Sequence, residues 1–354
     1  MARPRRTVLA VVSVLVVVVI GAAAAAALWW RDGERSALAE AVAMAPPESQ
    51  RYSWTSWAQV RTETGAELDD ASSSADLRAF LDAAYELDLS STSALVESAQ
   101  VLQVRYGFSP ATADWELFSQ GPGGAAIMLG MPDDTDFDEL GTRLEELGYT
   151  RPAEEDGAWF GGKDLLAEIG GVTPELQYVA LDADRGLVLA SDTPDYLGVA
   201  RDAVADPRDP PQGLDDVVSA SGEPLAAAVY TGEQACVGLA MSQAGDADQR
   251  LGEQLVEQAG EVNPLTGFAM SVQPDGGVRV ALGFETAEQA RTNADTRAVL
   301  AEGPAVGQGG DFADRFAVDA VTADDRVVRM DLDPVDGAFV LSDLSTGPVL
   351  FATC

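Results

Sequence analysis

Directly behind Arg3, Arg5 and Arg6 stands a run of 24 residues without a charge, Thr7 to Trp30. Few folds accept such a run, because an apolar segment of this length satisfies its own backbone polar groups only as a helix. At ~1.5 Å per residue it reaches about 36 Å, against a bilayer core of ~30 Å. Val8 to Ile20 is strongly apolar and Gly21 to Ala27 is small. Trp29 and Trp30 close the run, with Arg31 behind them, where aromatic rings favour a membrane interface. The pattern predicts a cytoplasmic tail over 1–6 and a single-pass transmembrane helix over 7–30. The basic flank stays inside, so the C-terminal part lies outside the cytoplasm. A cleaved secretory signal is the competing reading, since Ala22–Ala27 offers small-residue cleavage sites. Continuation of the run to Trp30 favours the uncleaved anchor.

Charge divides at the same place. The chain has 58 Asp and Glu against 22 Lys and Arg, a net charge of −36. No acid precedes Asp32, so everything after Trp30 holds 58 acids against 19 basic residues, a net −39. A field of that sign repels phosphate and excludes nucleic acid as a partner. The chain has no histidine, which removes Ser-His-Asp and Cys-His catalysis and imidazole metal ligation. An apolar fraction of 47% with 23% charged residues is that of a folded chain. The near absence of lysine, with Lys163 alone, matches the codon bias of a GC-rich genome. Adaptation of the surface to salt is the other explanation.

Beyond the span the expected fold class is α+β: two subdomains of antiparallel sheet with helices on one face, on a ferredoxin-like plan. Residues 31–50 form a juxtamembrane linker, 51–205 a first subdomain, 206–213 a linker rich in Asp and Pro, and 214–354 a second subdomain. Tyr52 to Tyr106 reads mostly as helix, on the i, i+3, i+6 spacing of Trp54, Trp57 and Val60. Ser73 to Asp76 is a capping-box start, with Leu77, Phe80, Leu81, Ala84 and Leu87 on one face behind it. Paired strands follow at 115–119 and 125–131, 176–181 and 187–191, 266–272 and 278–284, and 316–321 and 327–332. A strand–turn–strand–helix unit ends at Thr193 and recurs 93 residues later at Thr286, with a looser copy near Asp336. Val349–Ala352 reads as a terminal strand.

The catalytic vocabulary is thin. Cys236 and Cys354, the only cysteines, predict a disulfide in an exported domain. Asp182-Ala183-Asp184-Arg185-Gly186 begins like a calcium loop, but Gly186 and Thr193 stand where later ligands belong, so a turn explains it. The acids between Asp133 and Glu139 suit the start of a helix better than an ion site. Lys163 lacks the Ser-x-x-Lys spacing of a catalytic lysine, since Phe160 stands three before it. Gly121–Gly124 and Gly307–Gly310 lack the Gly-Lys-Ser/Thr ending of a phosphate loop. No catalytic residue, metal or cofactor is assigned.

Three phrases carry a resemblance: Tyr52-Ser53-Trp54-Thr55-Ser56-Trp57, Asn263-Pro264-Leu265-Thr266-Gly267-Phe268 and Gly347-Pro348-Val349-Leu350-Phe351-Ala352-Thr353-Cys354. With the span and the acidic body, the chain resembles single-span, membrane-anchored envelope proteins of high-GC actinomycetes. That resemblance implies a location and no activity. The expected function is non-catalytic binding of another envelope component, protein or polymer, with a basic or cationic partner favoured. The alternative is a carboxylate-based hydrolase of an envelope polymer, which needs two acids about 5–10 Å apart across a cleft.

Overall fold

The computed structural model describes residues 35–154 and 157–354. The predicted span and its interface residues Trp29, Trp30 and Arg31 lie outside them. Among the described residues no helix is long and apolar enough to cross a membrane.

The α+β class is observed, as one antiparallel sheet of eleven strands. In chain order these are β1 (Arg51–Thr55), β2 (Trp115–Gly121), β3 (Gly124–Gly130), β4 (Ala158–Phe160), β5 (Tyr178–Asp182) and β6 (Leu187–Ser191). They continue as β7 (Ala226–Thr231), β8 (Gly267–Val272), β9 (Val278–Gly283), β10 (Phe316–Asp324) and β11 (Val327–Pro334). Their spatial order is β10-β11-β9-β8-β7-β1-β2-β3-β6-β5-β4. The two expected subdomains therefore share one sheet, and Leu38–Cys354 forms one compact unit.

The seam is β1. It pairs with β7 from Arg51↔Tyr230 to Thr55↔Ala226 and with β2 from Arg51↔Gln120 to Thr55↔Glu116. These residues are a strand, not the helix that their spacing predicts. Tyr52 and Trp54 alternate with Ser53 and Thr55, and both aromatics enter the same core, as a period of two requires. The helical spacing of Trp54 and Trp57 is a coincidence across a strand–helix junction, because α2 (Trp57–Thr64) starts only at Trp57. A ferredoxin-like plan is not formed in each half. Each half holds a split strand–helix–strand, β3 and β5 around β6 and β9 and β10 around β11, but the strand order β1-β2-β3-β6-β5 and β7-β8-β9-β11-β10 is not the ferredoxin-like one.

Both faces of the sheet are covered, not one. Along β7, Ala226, Ala228 and Tyr230 enter one core, and Ala227 and Val229 enter the other. The second core is closed by α1 (Ala37–Ala43), α6 (Pro194–Ala205) and α7 (Gln212–Ser221), through Leu38, Leu197, Leu214 and Val217. The first takes α2, α3 (Ser74–Glu86), α4 (Phe137–Leu147), α5 (Gly162–Ile169), α8 (Gly232–Gly238) and α10 (Ala287–Ala301). The repeated unit thus sends α6 and α10 to opposite faces, although its strand–turn–strand–helix order is as expected. Segment 206–213 is a tight connection between α6 and α7 rather than a domain boundary. Arg208 N donates to Ala43 O at 3.0 Å, and the segment walls a cavity of about 180 Å³ with α1. Glycine permits the close approach of α7: a Cβ at Gly267 would collide with the Gly213 carbonyl.

The C-terminal segment closes the first core. Val349, Leu350 and Phe351 are buried, in a turn of 3₁₀-helix over Leu350–Ala352 rather than the expected strand. Cys236 on α8 and Cys354 are bonded, with Cα atoms 5.4 Å apart and a sequence separation of 118.

Candidate functional site

The capping box at the start of α3 is present: Ser73 Oγ accepts from Asp76 N at 3.2 Å, and Asp76 Oδ2 accepts from Ser73 N at 3.3 Å. Leu77, Phe80 and Ala84 face the core as expected. Leu87 does not. It follows the last helical residue, Glu86, and the chain then reverses at Asp88, whose φ is +57°. Aspartate is among the few side chains that tolerate this left-handed region. The reversal turns Leu87 outward, so it is 51% exposed instead of completing the apolar stripe.

Asp88 itself is buried. Its carboxylate accepts from Leu341 N at 2.6 Å and from Ser342 N at 3.2 Å, and from the Ser342 and Ser91 hydroxyls. These bonds satisfy free amides at the start of the short helix α11 (Val340–Leu344). Burial pushes the Asp88 carboxyl up, and the hydrogen bonds from Ser342, Leu341 and Ser91 oppose it. One side chain thus ties the end of α3 to a segment 253 residues away.

Between the two tied segments lies an open cleft of about 290 Å³. Leu87, Leu89, Leu225, Val272, Val335 and Val340 give it apolar walls. Glu63, Glu86, Asp88 and Asp336 add four carboxyl groups, and among the described residues no Lys or Arg lines it. Tyr85, 55% exposed, stands beside Phe339 with ring centroids 5.0 Å apart. Val335 is 46% exposed. Single exposed apolar residues are ordinary, but Leu87 and Val335 converge on one cleft, which makes it the candidate site. Sequence reasoning assigns none of these residues to a site. The available signal is the Leu87-Asp88-Leu89 alternation at a helix end, and the helical stripe masks it.

The carboxyl that holds its proton most strongly sits elsewhere. Glu116 on β2 is fully buried. Its Oε2 accepts from Trp57 Nε1 at 3.0 Å and Ser93 Oγ at 2.7 Å, and its Oε1 from Ala94 N at 2.7 Å. Three donors suit the anion, yet desolvation outweighs them and pushes the carboxyl up to about 7. Glu116 lines neither the cleft nor the cavities beside Arg208 and Arg61. The folded chain holds this proton more tightly than the unfolded chain, so its contribution to stability is full below about pH 4.5 and is lost as pH rises through about 7. The expected loss is about 3 kcal/mol. Glu116→Gln should flatten this dependence, read as urea midpoints at about pH 5 and about pH 8. Equal pH slopes in the two proteins would refute the assignment.

The segments set aside as sites in the sequence form local structure. Asp136 caps α4, accepting from Glu139 N at 2.9 Å, and Glu139 pairs with Arg143 at 2.7 Å. These residues line a cavity of about 440 Å³ with Asp69, Asp70 and Arg61. Arg61 is turned to the carbonyls of Pro110 and Ala113, at 2.9 and 2.7 Å. Asp182 accepts from Arg185 N at 3.1 Å and pairs with its guanidinium at 3.1 Å, as a turn between β5 and β6 requires. Lys163 is exposed on α5. Among the described residues no group of His, Cys, Asp and Glu is arranged to hold a metal ion.

No protein family and no curated protein matches this chain. Among solved structures, crystal form III of TP0453 aligns at 8% identity, over 86% of this chain and 96% of that chain, with a TM-score of 0.36. Crystal form IV of TP0453 aligns at 7% identity, over 86% and 96%, with a TM-score of 0.38.

Proposed function

We propose that this chain is a non-catalytic protein anchored in the cell membrane by residues 7–30. Its α+β part lies outside the cytoplasm and binds another envelope component through the cleft between Leu87 and Val335. The observation that carries the binding role is that cleft, apolar in its walls, acidic in its charge and open to solvent. The location rests on the uncharged run behind three arginines and on the −39 charge that follows it. A hydrolase using paired carboxylates has less support, because Glu116, the carboxyl best able to hold a proton, is buried and does not line the cleft.

Lys163 supplies a direct test of location, since it is the only lysine and is exposed. A membrane-impermeant amine reagent applied to intact cells is expected to label it. Labelling that appears only after lysis would overturn the location. For the binding role, a photo-crosslinking residue at Val335 is expected to capture a recurrent envelope partner. The same residue at Leu251, exposed on α9 (Asp246–Ala259) and outside the cleft, is expected not to. Identical or empty patterns from both positions would refute the cleft as the binding surface.

A further inference from the structure

The partner's chemistry can be read from the cleft, resting on the reading that the cleft is the binding surface. Its walls offer two kinds of contact side by side. Leu87 and Val335 are about half exposed, and Leu89, Val272 and Val340 lie behind them as a packed apolar floor. Covering these side chains removes apolar area from water at roughly 25 cal/mol per Å². Glu63, Glu86 and Asp336 stand exposed around that floor, and none carries an ion pair among the described residues. Asp88 is different: its carboxylate is already committed to α11. Three uncommitted carboxylates therefore ring an apolar floor, with the Tyr85 and Phe339 rings alongside.

An acidic ligand, a phosphate-bearing one included, meets repulsion from all four cleft carboxylates and from the −39 charge of the exported part. A purely cationic ligand leaves the apolar floor wet. The volume of about 290 Å³ is at the low end for small-molecule pockets, and the site is a groove that takes side chains rather than an enclosed chamber.

We infer that the cleft takes an extended polypeptide segment of a partner in which apolar and basic side chains alternate. The apolar side chains seat on Leu87, Leu89 and Val335. The basic ends reach Glu63, Glu86 and Asp336, and one guanidinium or ammonium lies against the exposed Tyr85 ring, where the negative face of the π system favours a cation. An extended chain turns successive side chains to opposite sides, so apolar side chains turned into the cleft leave the basic ones at its rim, where Glu63, Glu86 and Asp336 are exposed.

The test uses the full chain in detergent micelles and a fluorescent octapeptide of alternating leucine and arginine as probe, followed by anisotropy. Saturable binding is expected, weakened by salt because the exposed charges are screened. Leu87→Ser with Val335→Ser, and separately Glu86→Gln with Asp336→Asn, should each weaken it about tenfold, the equivalent of about 1.4 kcal/mol. All four positions are exposed, so folding is not at risk. Leu251→Ser should leave binding unchanged. Counterparts with glutamate in place of arginine, or serine in place of leucine, should bind at least about tenfold more weakly. No binding, equal binding of the glutamate peptide, or insensitivity to both variant pairs would overturn the inference. If the Val335 crosslink in cells persists in that event, the binding surface stands and only the partner chemistry is wrong. If both fail, the cleft is not the site.

Discussion

Replacing Arg297 by methionine is expected to destabilise the chain by about 3–5 kcal/mol. Arg297 lies on α10 and has no exposed surface. Its guanidinium donates to Phe351 O at 2.9 Å, to Thr353 O, to Asn263 O at 2.9 Å and to Asn293 Oδ1 at 3.3 Å. It also lies 5.8 Å from the centroid of the Phe284 ring. No carboxylate is among these partners. Burial lowers its pKa to about 9, so the group stays charged at neutral pH and is stabilised by carbonyl dipoles. Methionine fills much of the volume but leaves the three carbonyls without their donor, at about 1–3 kcal/mol for each buried group left unpaired. Arg297→Lys should cost roughly half as much, since one ammonium cannot reproduce a fork that reaches two segments at once. For a chain of this size the methionine variant should melt about 4–8 °C lower. A fall below about 2 °C would show that the buried charge is offset and the knot contributes little.

Loss of the disulfide is the second large effect. Cys236→Ser with Cys354→Ser, or reduction of the native bond, is expected to cost about 4–5 kcal/mol, because a bond closing so long a loop restricts the unfolded chain strongly. The bond and Arg297 hold the same segment: Cys354 is covalently tied to α8, and Thr353 beside it accepts from Arg297. Their effects should therefore be less than additive. In the double-serine background the final residues lose an anchor, and Arg297→Met should cost less than in the native chain. Urea midpoints of the four proteins in this cycle measure the coupling. Strict additivity would show that the two anchors act on separate parts of the fold. Peptide mapping without reductant should find Cys236 and Cys354 in one linked fragment, and alkylation of both thiols without reductant would refute the bond.

Two of the three phrases singled out in the sequence meet at this knot. Asn263 exchanges hydrogen bonds with Asn293, at 3.1 Å from its amide and 2.7 Å to its side-chain oxygen, and it precedes Pro264 at the start of the phrase. Phe351 and Thr353 belong to the terminal phrase. The third, Tyr52 to Trp57, forms the central strand and the start of α2. These phrases form structural joints of the fold.

The hairpins are legible in the sequence because each is local. An apolar strand, a turn of Gly, Asp or Pro, and a second apolar strand lie within about twenty residues, and pairing them costs little loop entropy. The caps at Ser73, Asp136, Thr193 and Thr286 are legible for the same reason: donor and acceptor are three residues apart. The strand β1 is not. Five residues, Arg51 to Thr55, are too few to show their period against a flanking helix, and their partners β2 and β7 begin about 60 and 170 residues later.

What the sequence determined by itself is therefore local or additive: the uncharged run, the division of charge around it, the absent histidine, the hairpins and the caps. Each depends on neighbours in the chain or on a sum over residues. The tertiary structure alone decided that one sheet replaces two, that both of its faces are covered, and that Leu87 points to solvent. It also set the cleft, which exists because the Asp88 carboxylate reaches amides 253 residues away. Such a contact leaves no period or spacing in the sequence, since its free energy is gained only after the intervening chain has folded and brought the two segments together.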